Sequence, residues 1–243
     1  MEIKIIFENE NLIVVEKPAG VLVHPTQANE ENALTKWLID KYPNTNTLNW
    51  PDKSRPGIVH RLDKDTSGVI VLAKNSGTLE KLQTQFKERE VQKTYTALVF
   101  GNLQKEGRVE ADITRGAAGL QKVMDATYSF SQKTRSAITD YKPLEHYKYK
   151  KDDLTLVEVK PKTGRMHQIR VHLKYIGFPI IGDQLYNIKP SKRISKELDI
   201  YRQFLHASKL QINDPQTDEK MVFESQLTDD LQEILNKLRK TDE

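Results

Sequence analysis

Two short stretches of this chain concentrate side chains that can move protons, hold anions or attack an electrophile. The first is His60-Arg61-Leu62-Asp63-Lys64-Asp65-Thr66-Ser67-Gly68. An arginine, two carboxylates, a histidine and two hydroxyls gather there, more polar equipment than a turn requires. Asp63 and Asp65 share a face if the segment runs extended. They diverge if it turns, so that one can enter a cleft while the other caps backbone amides. Turn or cap roles for both are the plain alternative. Arg61 beside them argues for a charged site, because guanidinium–carboxylate pairing is strong and directional. The second stretch is Thr163-Gly164-Arg165-Met166-His167-Gln168-Ile169-Arg170-Val171-His172-Leu173. Read as a helix over 166–175, it puts His167, Arg170 and Lys174 on one face and Ile169, Leu173 and Ile176 on the core side. Its first-turn amides together with Arg165 would suit a phosphate or carboxylate; a basic face turned to solvent is the simpler alternative. His167 and His172 lack the i, i+4 spacing and intervening glutamate of a helical zinc motif, so no metal site is expected.

These groups need rigid carriers, and the flanking patterns supply them. Ile58-Val59 and the apolar run 69–73 read as buried strands that hold the polar insert at the end of a core element. Loops on such scaffolds are where chemistry concentrates. Tyr95 falls within a strand over 91–100. It is either rim packing or an aromatic face for a nucleobase, with a phenol able to move a proton. Further strands are expected at 3–7, 12–15, 108–113, 126–130, 137–144, 154–159 and 204–212, with a short one ending at Val23 after the Lys17-Pro18-Ala19-Gly20 turn. Helices are expected over 32–42, after a Ser76 cap with Leu79, Leu82 and Phe86 on one face, and at the C-terminal end with a Leu227, Leu231, Ile234, Leu235, Leu238 stripe. Residues 43–56 read as a polar loop. Without βαβ alternation, the pattern predicts an α+β fold, a mixed and mainly antiparallel central sheet with peripheral helices, as a single domain over 1–243.

Lys plus Arg number 38 and Asp plus Glu 34, a net charge of +4. That mild excess is compatible with a polyanion without demanding one, but residues 160–174 are strongly basic. With no cysteine, disulfide and thiolate chemistry are excluded. No apolar run reaches the ~18 residues of a membrane span, and the N-terminus lacks a secretory pattern. A cytoplasmic protein is expected.

The segments Phe7 through Gly20, Val59 through Gly68, Lys93-Thr94-Tyr95, Thr163 through Leu173, Gly182-Asp183-Gln184-Leu185-Tyr186 and Leu205-His206-Ala207 together resemble the RluA family of pseudouridine synthases. The resemblance implies the pseudouridine synthase fold and isomerisation of uridine in a structured tRNA or rRNA stem-loop, in a monomer that needs no cofactor, metal or membrane. It places the catalytic aspartate on Asp63, the active-site tyrosine on Tyr95 and the arginine that pairs with the aspartate on Arg170. Substrate contacts fall on His60, Arg61, Arg165, His167 and Leu173, with Arg61 matching an arginine implicated in holding displaced RNA. The pattern begins within the first ten residues, so no N-terminal S4-type domain is expected. Asn213-Asp214-Pro215 and residues 118–124 depart from the family and bear on RNA choice.

The implied reaction breaks the N1–C1′ bond, turns the base and rejoins it through C5. One ionised carboxylate suffices, as nucleophile or as base. A nearby guanidinium keeps such a group charged in a water-poor pocket. Tyr95 would stack on the base and help remove the C5 proton. The uridine must leave its stack, and the 160–174 segment with Lys93 would hold the backbone. Two other classes compete. Asp63-Lys64-Asp65-Thr66 superficially fits a haloacid-dehalogenase phosphatase motif, but His60-Arg61 stand where a purely apolar strand should. A non-catalytic RNA-binding module would have no need of Asp63, Tyr95 and Arg170 together.

Overall fold

The computed structural model describes residues 2–25, 32–116, 120–124 and 134–241. The chain divides into two compact units, residues 1–93 with 207–226 and residues 94–206 with 227–243. Each has its own apolar core. The architecture is α+β as expected, with five α-helices among the described residues and strand pairs that are mainly antiparallel.

In the first unit, β1 (Lys4–Glu8), β2 (Leu12–Lys17) and β3 (Ser67–Ala73) form an antiparallel sheet. It continues through β10 (Leu205–Asn213) to β11 (Lys220–Glu224). β3 is buried along its whole length, and its β-branched run suits a strand covered on both faces. Helix α1 (Leu34–Lys41) precedes a single 3-10 turn, Pro43–Thr47. Helix α2 (Ser76–Glu88) is capped by Asn75, whose side-chain oxygen accepts the Thr78 N–H at 2.9 Å. Ser76, expected as the cap, is the first helical residue instead. Leu79 and Leu82 enter the core, with Phe86 packed at its edge. Ile58-Val59 does not form the expected strand. Gly57 turns the chain at φ +69°, so Ile58 makes only an isolated bridge to Leu72. Residues up to Val23 likewise make only a bridge, Leu22 to Ala33. Asn213-Asp214-Pro215 opens the β10–β11 turn and docks on α2, where Gln85 bonds both the N–H and the C=O of Asn213 at 2.9 Å.

The second unit is built on β4 (Gln92–Phe100), β9 (Asp152–Pro161), β8 (Ile138–Tyr149) and β12 (Arg239–Lys240), with β5 (Gly107–Glu110) added to β8. The β8–β9 register slips between Pro143 and Glu145, a bulge at a residue that cannot donate to the ladder. The expected 108–113 strand is two elements: β5, then β6 (Ile113–Arg115), which pairs with β7 (Gln121–Val123) and bridges Arg135. The strand expected at 126–130 lies outside the described residues. Helices α3 (Gln168–Tyr175), α4 (Lys189–Glu197) and α5 (Asp229–Asn236) contribute Leu173, Ile194 and Leu231, all fully buried, to the core with Leu98, Val157 and Phe204. Helix α4 and strand β11 had no counterpart in the expected pattern. No helix among the described residues is long and apolar enough to cross a membrane.

Gly68, which ends the first polar stretch, sits at φ +116°, and a Cβ there would lie 2.3 Å from the Ala207 carbonyl oxygen. Both conformation and contact require glycine. Gly68→Ala is expected to destabilise the protein by about 2 kcal/mol or more; a urea midpoint equal to wild type would contradict this close approach.

Candidate active site

The first polar stretch is a turn. The Asp63 carbonyl accepts the Thr66 N–H at 3.1 Å, and buried Leu62 anchors the loop between exposed Arg61 and half-buried Asp63. A second anchor is Lys17, which the β2–β3 register places directly opposite Gly68. Lys17 is completely buried. Its Nζ donates to the carbonyls of Pro18 at 2.8 Å, Val21 at 2.9 Å and Lys64 at 2.8 Å, one acceptor for each ammonium N–H. The Lys64 carbonyl also receives the Gly20 N–H at 3.0 Å. One cation thus ties the 17–21 turn to the loop carrying Asp63.

His60 lies under that loop. Its ring stacks on Phe86 with centroids 4.5 Å apart and planes 21° from parallel. Its Nε2 accepts the Val71 N–H at 3.3 Å, which assigns the ring proton of the neutral imidazole to Nδ1. Burial, and then the charge of Lys93, push its pKa down to about 3; burial lowers Lys93 itself to about 8. His60 is therefore a neutral packing and acceptor group rather than a cation offered to an anion. Arg61 is exposed. After burial and the charge of Arg55, its own charge helps lower the His24 pKa.

In the second unit, helix α3 starts two residues later than expected, because His167 adopts a left-handed conformation at φ +55°. Gln168 organises this end. Its Oε1 accepts from Thr163 Oγ1 at 2.7 Å and from the Arg165 N–H at 3.0 Å, while its Nε2 donates to the Ile138 carbonyl and to Thr139 Oγ1, both at 2.9 Å. The Arg165 amide is thus engaged, and its guanidinium, expected with the first-turn amides to suit an anion, stays at the surface with Nε on the Ser136 carbonyl at 3.1 Å.

Arg170 does not lie on an exposed basic face. It is buried against Asp183, with Nε to Oδ2 at 2.7 Å and Nη2 to Oδ1 at 2.8 Å. Burial by itself raises the Asp183 pKa. The hydrogen bonds and charge of Arg170, with the amides of Tyr186 and Leu185, outweigh it and hold the carboxyl below its ordinary value. The guanidinium lies over the Tyr186 ring, 5.1 Å from its centroid. The Tyr186 oxygen accepts the Gln121 N–H at 2.8 Å and meets His167 Nδ1 at 2.9 Å. His172 is fully buried, its Nδ1 on Thr139 Oγ1 at 3.0 Å. Leu173 corrects an expectation: it is completely buried in the second unit's core, with no surface left to meet a substrate. Tyr95, on β4 opposite Val159, is half-buried with its ring against the same core.

Arg170 and His167 thus share one network, to which residue-by-residue reading had added neither Asp183 nor Tyr186. Asp63, His60 and Arg61 belong to the loop of the first unit. Lys17, Gln168 and Asp183 were missed as site residues. The available signals were a lysine ending an apolar strand before Pro-Ala-Gly, and an acidic residue after a glycine in a segment with an aromatic three positions on.

Residues 11–175 match a family model described as RNA pseudouridylate synthase. An uncharacterized RNA pseudouridine synthase of Bacillus subtilis is 37% identical over 241 residues, spanning 99% of this chain and 74% of its own length. The ribosomal large subunit pseudouridine synthase D of Pseudomonas aeruginosa is 37% identical over 248 residues, 98% of this chain and 72% of that protein. The one from Borreliella burgdorferi is 39% identical over 213 residues, 87% of this chain and 61% of that protein. Among solved structures, human RNA pseudouridylate synthase domain containing 1 superposes with a TM-score of 0.76 at 26% identity, covering 99% of this chain and 89% of that one.

Two outcomes follow from the first unit. Lys17→Met leaves the three carbonyls without their cation and is expected to cost about 2–3 kcal/mol; unchanged thermal and urea stability would show that the cage contributes nothing. For His60, the folded pKa of about 3 lies below the ordinary 6.5, so below pH 6.5 the unfolded chain binds the proton better. The stability it contributes is full above pH 6.5 and falls as pH drops toward 3, by about 2 kcal/mol at pH 5. Urea titrations at pH 7.5 and pH 5 should show this loss in wild type and a smaller one in His60→Gln.

Proposed function

Because the chain belongs to the RNA pseudouridylate synthase family, and is therefore an isomerase acting on RNA, we propose that Asp63 is its catalytic carboxylate and that Tyr95 and Arg170 work with it. The observation that carries this reading is the Asp63 turn. It sits in the stretch that resembles the family's catalytic motif and is braced by buried Leu62 and by the Lys17 cage. A group that must meet a reacting atom gains from such bracing, since misplacement by about 1 Å can cost a hundredfold in rate.

In this mechanism a flipped-out uridine meets the Asp63 carboxylate, which acts as nucleophile or base while the N1–C1′ bond breaks. The freed base turns, C5 bonds to C1′, C5 loses its proton and N1, released from C1′, gains one. The product has the substrate's atoms, so no oxidant, group donor or cofactor is called for. Tyr95 stacks on the base and takes part in moving the C5 proton. Arg170 stabilises negative charge that develops during the reaction. Arg61 and Arg165, with guanidinium groups at the surface, hold phosphates or fill the space of the extruded base, and His167 borders the substrate beside Arg165. His60 and Leu173 serve packing instead.

The target we favour is a stem-loop of large-subunit ribosomal RNA, modified in the cytoplasm by the monomer. Two of the relatives reported above are named as ribosomal large subunit pseudouridine synthases, and a single chain carries every residue invoked. Transfer RNA is the second substrate to assay.

The test is carbodiimide labelling of pseudouridine in RNA treated with the protein. Asp63→Asn is nearly isosteric and removes only the charge, so it should keep fold and RNA affinity while lowering product formation by about a thousandfold or more. Arg170→Ala should also lose most activity. Labelling by Asp63→Asn equal to wild type would refute the assignment.

A further inference from the structure

We propose that Asp183 is a positioning residue for the isomerisation, setting where the Arg170 guanidinium sits; the inference rests on the catalytic reading of Arg170. The pair is dry, with the Arg170 side chain 6% and the Asp183 side chain 0% exposed. The contact is bidentate, two parallel N–H···O bonds of 2.7 and 2.8 Å, which fixes the plane of the guanidinium as well as its distance. Asp183 is itself immobilised. Its Oδ1 accepts the N–H groups of Leu185 at 2.8 Å and Tyr186 at 2.9 Å. The preceding residue, Gly182, donates its N–H to Ser195 Oγ at 2.8 Å. It also runs so close to Arg202 that a Cβ would lie 2.0 Å from that carbonyl oxygen. The face of the guanidinium rests on Tyr186, and the phenol oxygen is held by Gln121 and His167.

Neutralising a buried arginine does not require this much constraint. Pairs of this kind give little net stability relative to apolar residues of similar volume. What the arrangement supplies is an arginine fixed along one edge and one face. The grip runs along the Nε–Nη2 edge of the guanidinium and so fixes the plane in which its donors point. A carboxylate answering to Arg170 during catalysis would then meet a cation already in place, with no reorganisation at the moment of reaction.

The experiment compares wild type, Asp183→Glu, Asp183→Asn, Arg170→Ala and the Asp183→Glu/Arg170→Ala double variant. It measures single-turnover pseudouridine formation, RNA affinity by filter binding and thermal melting on a transcript that wild type modifies. Asp183→Glu keeps the charge but shifts the oxygens by a methylene. Its turnover is expected to fall about a hundredfold with RNA affinity within twofold of wild type, and adding it to Arg170→Ala is expected to slow that variant no further. Asp183→Asn, isosteric but able to offer only one acceptor oxygen, should lose activity to a similar degree and stands in if the glutamate variant does not fold. Wild-type turnover in the folded Asp183 variants would overturn the proposal, because charge compensation or packing alone would then explain the pair. A further loss on the Arg170→Ala background would do so too, because Asp183 would be acting independently. Full activity of Arg170→Ala would instead overturn the catalytic reading of the arginine, an outcome visible without any Asp183 variant.

Discussion

A charge taken out of water must find its counter-charge or its hydrogen bonds within the protein, because an uncompensated buried ion is prohibitively costly. This constraint shapes both polar regions of the molecule. In the first unit the ion is Lys17, and its partners are backbone carbonyls of the next turn and of the loop that follows Asp63. In the second it is Arg170, and its partner is the carboxylate of Asp183. In each case the satisfied ion holds down a loop that has little apolar surface of its own. A segment as polar as residues 60–68 could not be fixed by hydrophobic burial alone; Leu62 is an apolar anchor, and the ammonium of Lys17 is a polar one.

The same reasoning explains why His60 is uncharged. A histidine stacked on Phe86, accepting a backbone N–H and lying near Lys93, has its polar edge used by β3. It reads in the sequence like part of the chemical motif, yet it behaves as part of the wall. The polar stretch thus divides its labour. Leu62 faces inward and holds, half-buried His60 stacks on Phe86, Arg61 and Lys64 face water, and Asp63 lies half-buried between the two regimes.

Much of this was legible in the residues. The apolar run after Gly68, the alternation at 154–159 and the leucine stripe near the C-terminal end each led to the right element, because burial dictates such patterns wherever they occur. Asp63 beside the end of a core strand, Tyr95 on a strand and Arg170 on a helix followed from them, while the choice between an extended and a turned Asp63 segment did not. What escaped depended on single backbone angles or on partners far along the chain. Ile58-Val59 has strand composition, but the positive φ of Gly57 leaves it one bridge long. Helix α3 loses its first two expected residues to the left-handed turn at His167. Asn75 and Ser76 are both good caps, and only the position of one side-chain oxygen chooses between them. Helix α4 is so polar that no stripe announces it. Lys17 and Asp183 read as solvated end and turn residues, since nothing local reveals an ion that will be enclosed.

The first unit is discontinuous: strands β10 and β11 return to it after the whole 94–206 segment of the other. Gly68 meets Ala207, and the Glu16 carboxylate accepts from Ser225 across 209 positions of sequence. Contacts at such separation form late and slowly. During synthesis, the edge of β3 therefore waits uncovered until more than a hundred further residues have left the ribosome. A largely apolar strand with one open edge is an invitation to wrong partners. The nascent protein is thus most exposed to aggregation, and most in need of a chaperone, in the interval between the emergence of β3 and that of β10.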